Sequence, residues 1–221
     1  MFEEERELTV MLLVDVSGSN RFGTRKQFKE ELLAEVAAIL AFSAIQNNDK
    51  VGVIFFSDKI EKFISPKKGS THILRIIREL IDFKPDNTNT DITEALRYFT
   101  NVIKKKSTAF LISDFYDNDY EDALKIASKK HDIVAIKITD EKEKTLPNLG
   151  LVKIFDPESE TTQWIDTSSD EVRNEFAENY RQHSNHVNEI FRKYGIDNVE
   201  ITTGQDHVKQ LMKLFKQREH K

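Results

Sequence analysis

From Leu8 to Asp15 the chain reads Leu-Thr-Val-Met-Leu-Leu-Val-Asp, apolar at nearly every position and then abruptly acidic. A strand with one wet face alternates apolar and polar residues. A run this continuous is wet on neither face, which calls for a parallel strand covered by helices on both sides. Similar runs lie over residues 51–57, 109–113 and 132–139. Helical spacing separates them: over residues 26–47, Phe28, Leu32, Leu33, Val36, Ala37, Leu40 and Ala44 share one stripe that ends at Asn47-Asn48-Asp49. Further helices are predicted over 70–81, 92–104 and 120–130, the second opened by Asp91 as a cap with Glu94 reaching back. Strand and helix therefore alternate, and the expected fold class is α/β: a doubly wound, mostly parallel Rossmann-like sheet with helices on both faces and the first strand central.

Two additions are expected. Residues 59–64 follow the second strand too closely for a crossover and read as an antiparallel edge strand. Residues 151–155 and 162–166 flank Asp156-Pro-Glu-Ser-Glu as an added β-hairpin. The chain then closes with a helix over 170–194, striped by Val172, Phe176, Tyr180, Val187, Phe191 and Tyr194 and ended by Gly195, a strand over 198–202 and a helix over 206–218. Without repeats or low-complexity linkers, residues 1–221 read as one domain that could be a piece of a longer protein.

Composition narrows the function classes. The net charge of −5 opposes nucleic-acid or anionic-membrane binding as a main activity, since both need concentrated positive surface. Lys209, Lys213, Lys216 and Arg218 form the nearest approach to a basic patch and read as a solvated helix face. The absence of cysteine excludes disulfides, thiolate nucleophiles and Cys-ligated metals. Crossing a bilayer takes ~20 apolar residues, well beyond the runs found here, and the start Met-Phe-Glu-Glu-Glu is acidic where a signal peptide is basic. A cytoplasmic protein with no membrane span is expected.

The chemistry concentrates on three turns: Asp15, Ser17 and Ser19 in Asp-Val-Ser-Gly-Ser, Thr90 before a helix, and Asp114 after a strand. An open parallel sheet collects such positions at the C-terminal edge of its strands, where the ligand crevice lies. Hydroxyls at i and i+2 of a tight turn, with Gly18 between them, can face one point that a carboxylate also reaches. All-oxygen donor sets suit Mg2+ or Mn2+. Uncharged hydroxyl ligands neutralise such an ion only in part, leaving room for an acidic side chain from a partner protein. Ser, Gly and Asp are ordinary turn residues, so the first turn alone carries little. Three pieces at independently predicted strand ends and helix starts carry more.

Asp15-Val-Ser-Gly-Ser19, Thr90-Asp91 and Leu111-Ile-Ser-Asp114 together resemble the metal-ion-dependent adhesion site of von Willebrand factor A domains. That resemblance implies a Rossmann-like fold whose site binds magnesium to capture a partner's carboxylate. Phe2-Glu-Glu-Glu-Arg-Glu-Leu8, Asp114-Phe115, Leu146-Pro-Asn-Leu-Gly150, Asp156-Pro-Glu158, Trp164-Ile-Asp-Thr167 and Leu211-Met-Lys-Leu-Phe-Lys-Gln-Arg218 resemble the bacterial family called domain of unknown function 58. Its members are von Willebrand factor A-like proteins associated with MoxR-type AAA+ ATPases. The resemblance implies a non-enzymatic adaptor or assembly factor, and a further N-terminal segment in longer members.

Competing signals are weaker. A haloacid-dehalogenase-type phosphatase needs a second aspartate where Ser17 stands, and a response-regulator-like acceptor needs clustered acids after the first strand, where Asp15 stands alone. Phosphoryl transfer and a scaffold with an empty site remain the alternatives. Lys68-Gly-Ser-Thr71 lacks phosphate-loop glycine spacing. Asp117, Asp119 and Asp122 read as capping residues, with Asp119 and Asp122 paired at a helix start. His183, His186 and Glu189 read as a solvated face, and Trp164 and Phe22 as packing residues.

Overall fold

The computed structural model describes residues 8–18, 23–24, 27–83, 89–117, 119–156 and 161–219. In chain order the elements are β1 (Thr9–Asp15), β2 (Gly23–Thr24), β3 (Gln27–Phe28), α1 (Lys29–Gln46), β4 (Lys50–Phe56), β5 (Ile60–Lys67), α2 (Ser70–Asp82), α3 (Ile92–Val102) and β6 (Thr108–Ser113). There follow α4 (Glu121–Lys130), β7 (Asp132–Thr139), α5 (Glu141–Lys144), β8 (Leu151–Asp156), β9 (Thr161–Asp166), α6 (Asp170–Tyr194), β10 (Asp197–Thr202) and α7 (His207–Glu219). Six strands form one sheet in the order β10-β7-β6-β1-β4-β5. All its pairings are parallel except β4 with β5, the antiparallel edge that the short connection predicts.

Alternate residues of β1 feed the two cores. Val10, Leu12 and Val14 join α1, α2 and α7 on one face, while Met11 and Leu13 join α3, α4 and α6 on the other. Both faces are thereby dry, which is why the strand sequence does not alternate. β4 approaches its neighbours closely at Gly52, where a Cβ would lie 2.8 Å from Met11 Sδ and 2.9 Å from the Ile64 carbonyl oxygen. β8 and β9 form the separate antiparallel hairpin expected from sequence. Among the described residues no helix is long and apolar enough to cross a membrane.

Several local expectations are corrected. α1 begins at Lys29 rather than Lys26: Phe28 pairs with Gly23 in a two-stranded ribbon, and the Glu31 carboxylate accepts the Phe28 N–H at 3.2 Å, fixing the helix start there. Phe28 is thus 51% exposed instead of packed. Asp91 caps α3 by accepting the Glu94 N–H at 2.7 Å. Its own N–H is taken by the Ser57 carbonyl at 2.8 Å, which accounts for a cap without the reach-back from Glu94. Asp119 does not open α4, whose cap position is Tyr120; Asp117 instead accepts the Ile92 N–H at 2.8 Å, serving α3. His183 is half-buried and its ring stacks on Tyr116 at 4.3 Å, so it is not part of a solvated face. Trp164 is 65% exposed on a hairpin that, among the described residues, has two strands. Gly195 ends α6 as expected, in the left-handed region at φ 65°. Ser19, Phe22, Lys26 and most of the loop predicted over 85–90 lie outside the described residues.

Candidate metal centre

The sheet order reverses around β1: the chain first moves outward to β4 and then returns to β6 on the other side. Connections diverge at the C-terminal ends of β1 and β6, the place where open α/β sheets bind their ligands. Asp15 ends β1, and Ser113 and Asp114 end or follow β6. Register pairs Val14 with Ile112, so the next residues, Asp15 and Ser113, are neighbours. The Ser113 hydroxyl donates to Asp15 Oδ2 at 2.6 Å. The Ser17 N–H donates to Oδ1 at 2.9 Å, folding the turn back on the carboxyl. Thr90 reaches this edge from the far side of β1, because the Asp91 N–H is bonded to Ser57 just past β4.

Asp15, Ser17, Ser113 and Asp114 are all buried. Burial, reinforced by the neighbouring Asp114 and opposed by hydrogen bonds from Ser113 and Ser17, pushes the Asp15 carboxyl up to about 7. An acid held near neutrality away from water is a costly arrangement. Thr90 adds a second cost: its Oγ1 is buried and has no hydrogen-bond partner. A buried hydroxyl without a partner, on the loop that leads to the sheet edge where Asp15 and Asp114 are buried, gives oxygen donors of the kind that suit Mg2+ or Mn2+. Among the described residues no group of three or more His, Cys, Asp or Glu side chains is placed to hold a metal.

One participant is not foreseen by sequence. Lys29, the first residue of α1, is fully buried, and its ammonium lies 2.7 Å from Asp114 Oδ2 and 2.7 Å from Glu143 Oε1. Burial alone would pull this lysine's pKa down; the Asp114 and Glu143 carboxylates outweigh it and hold it above the ordinary value. Glu143 is in turn raised by burial against the pull of Lys29. The remaining Asp114 oxygen accepts the Tyr116 N–H at 3.2 Å. Deeper along β7, Lys137 is buried beneath α6, bonding the Ser184 hydroxyl at 3.0 Å and lying over the Tyr180 ring. Ser113 could have been found from sequence, since the residue before Asp114 must flank the end of β1 in a parallel pairing.

The family model described as "Protein of unknown function DUF58" matches residues 1–186. The proteins Rv1480 of Mycobacterium tuberculosis and Mb1516 of Mycobacterium bovis are each 24% identical over 217 residues, covering 97% of this chain and 68% of their own. Among solved structures, the conserved hypothetical protein BatB from Bacteroides thetaiotaomicron gives a TM-score of 0.62 at 14% identity, over 97% of this chain and 100% of that one. An aerotolerance-related membrane protein from Bacteroides fragilis gives 0.56 at 15% identity, over 84% of this chain and 99% of that one. At such identities the structural likeness speaks for the fold, which is von Willebrand factor A-like.

Proposed function

Because this chain belongs to the family described as protein of unknown function DUF58, whose fold it carries, we propose that it is a metal-ion-dependent protein-binding module. The hydroxyls of Ser17, Ser19 and Thr90 and the carboxylates of Asp15 and Asp114 would hold Mg2+ or Mn2+, directly or through water. A bound divalent ion would supply an electrophilic centre for a carboxylate offered by a partner protein. The observation that carries this reading is the buried, unpartnered Thr90 hydroxyl at the sheet edge that also buries Asp15 and Asp114. In this role the chain's own residues hold and orient. Ser113 and the Ser17 N–H fix the Asp15 carboxyl, the Tyr116 N–H fixes Asp114, and the cap at Asp91 fixes the turn that carries Thr90.

The partner that family resemblance implies is a MoxR-type AAA+ ATPase, which would put the module in the cytoplasm, where ATP is. Thermal melting with and without Mg2+ or Mn2+ tests the site. The wild type should gain several degrees, and a Ser17→Ala variant much less; equal gains would remove the site assignment. Retention of the ATPase or of an acidic peptide, lost on chelation, tests the binding role. Turnover of generic phosphoesters that disappears in Asp15→Ala would replace it with a catalytic one.

A further inference from the structure

We propose that Lys29 is a tethered cation that competes with a divalent ion for Asp114, and that Glu143 is the seat to which it withdraws. This inference rests on the metal-binding reading above and adds a regulator of affinity to it. A lysine at the first position of a helix faces the positive end of the helix dipole, so its burial there is doubly unfavourable without dedicated anions. Two are provided, each 2.7 Å from the same ammonium. One of them, Asp114, is a proposed metal ligand; an ammonium and a divalent ion that share its oxygens repel each other.

Glu143 is built to receive the displaced charge. It belongs to α5, where its Oε2 accepts the Asp140 N–H at 3.0 Å while Oε1 faces Lys29. Asp140 is locked in turn: Oδ1 accepts the Lys142 N–H at 2.8 Å, and Oδ2 takes the Thr203 hydroxyl. Asp140 is fully buried, so this cap is a fixed feature of the fold. Lys29 can therefore release Asp114 and keep a preorganised partner. Metal occupancy is thereby linked to the start of α1 and to α5, and the ion binds more weakly than the same ligands would allow without the lysine.

The experiment is a calorimetric titration of Mn2+ into the wild type, Lys29→Met, Glu143→Gln, the double variant and Ser17→Ala at one pH, with circular dichroism to establish folding. Lys29→Met should bind Mn2+ at least tenfold tighter than the wild type. Glu143→Gln should bind at least threefold weaker, since the lysine then has only Asp114. In the Lys29→Met background, the effect of Glu143→Gln should shrink markedly. Should Lys29→Met not fold, Glu143→Gln alone decides, and unchanged affinity overturns the proposal. Tighter binding absent in a folded Lys29→Met, or strictly additive effects, would also overturn it. If wild-type binding is Ser17-dependent while these variants behave otherwise, only the role of Lys29 falls. If Ser17→Ala binds as the wild type does, the site assignment falls and takes this proposal with it.

Discussion

At the N-terminal ends of β6, β7 and β10, Arg218 bridges Asp132 and Asp197 in partly exposed pairs, and Ser107 shares a 3.0 Å hydrogen bond with His131. At the opposite ends of β1 and β6, Asp15, Asp114 and Lys29 are fully buried, and the Thr90 hydroxyl has no partner. The first edge keeps its full charges near water and neutralises its buried imidazole. The second accepts desolvated charge; each edge leaves one buried polar atom without a partner, His131 Nε2 at the first and the Thr90 hydroxyl at the second. A fold that needed only stability would treat both edges the first way, and departures of this kind gather where a function is served.

Removing one charge at each edge should give the largest contrast. With divalent cations chelated, Lys29→Met leaves Asp114 and Glu143 without their ammonium and should cost about 3–5 kcal/mol in a denaturant melt. Arg218→Met, at a partly exposed pair, should cost about 1 kcal/mol. Equal losses would erase the distinction between the edges.

Their pH responses should oppose each other. Burial, with Lys130 nearby, pulls His131 down to about 4 from 6.5, so the unfolded chain takes up a proton that the folded one refuses. Its contribution is present above pH 6.5 and is lost as pH falls toward 4. Asp15, raised to about 7 from 3.8, behaves in reverse in metal-free protein: its contribution is present below pH 3.8 and is lost as pH rises through about 7. Denaturant melts across pH on His131→Asn and Asp15→Asn should each flatten one limb. If both variants flatten the same limb, the two edges are alike.

The smallest contrast is in hydroxyls. Ser107→Ala deletes a satisfied bond and should cost about 1 kcal/mol, whereas Thr90→Val deletes an unsatisfied one and should leave metal-free stability unchanged or up to ~1 kcal/mol higher. Thermal melts in chelator would show it. A clear loss in Thr90→Val would mean that its hydroxyl has a structural partner.

The legible and illegible parts of the molecule divide along the same line. β1, β4, β6 and β7 could be read because a strand buried on both faces must be apolar throughout, and Asp15 and Asp114 because each interrupts or follows such a run. Lys29 could not be read: a lysine among Lys-Glu-Glu at a helix start looks solvated, and Asp114 lies 85 residues away. Glu143, within Glu-Lys-Glu-Lys, was hidden in the same way. Local pattern reports what a residue is suited to, and a buried ion pair is made by partners that only the fold brings together. Trp164 failed for the converse reason: its apolar surface predicted burial, and it is 65% exposed.

The decisive measurement is the affinity of Mn2+ for the wild type and for Thr90→Val, by calorimetric titration at neutral pH. Binding to the wild type that weakens at least tenfold in the variant is the expected result. Equal affinity in both, or no binding to either, would mean that the sheet edge at the C-terminal ends of β1 and β6 is not a metal centre.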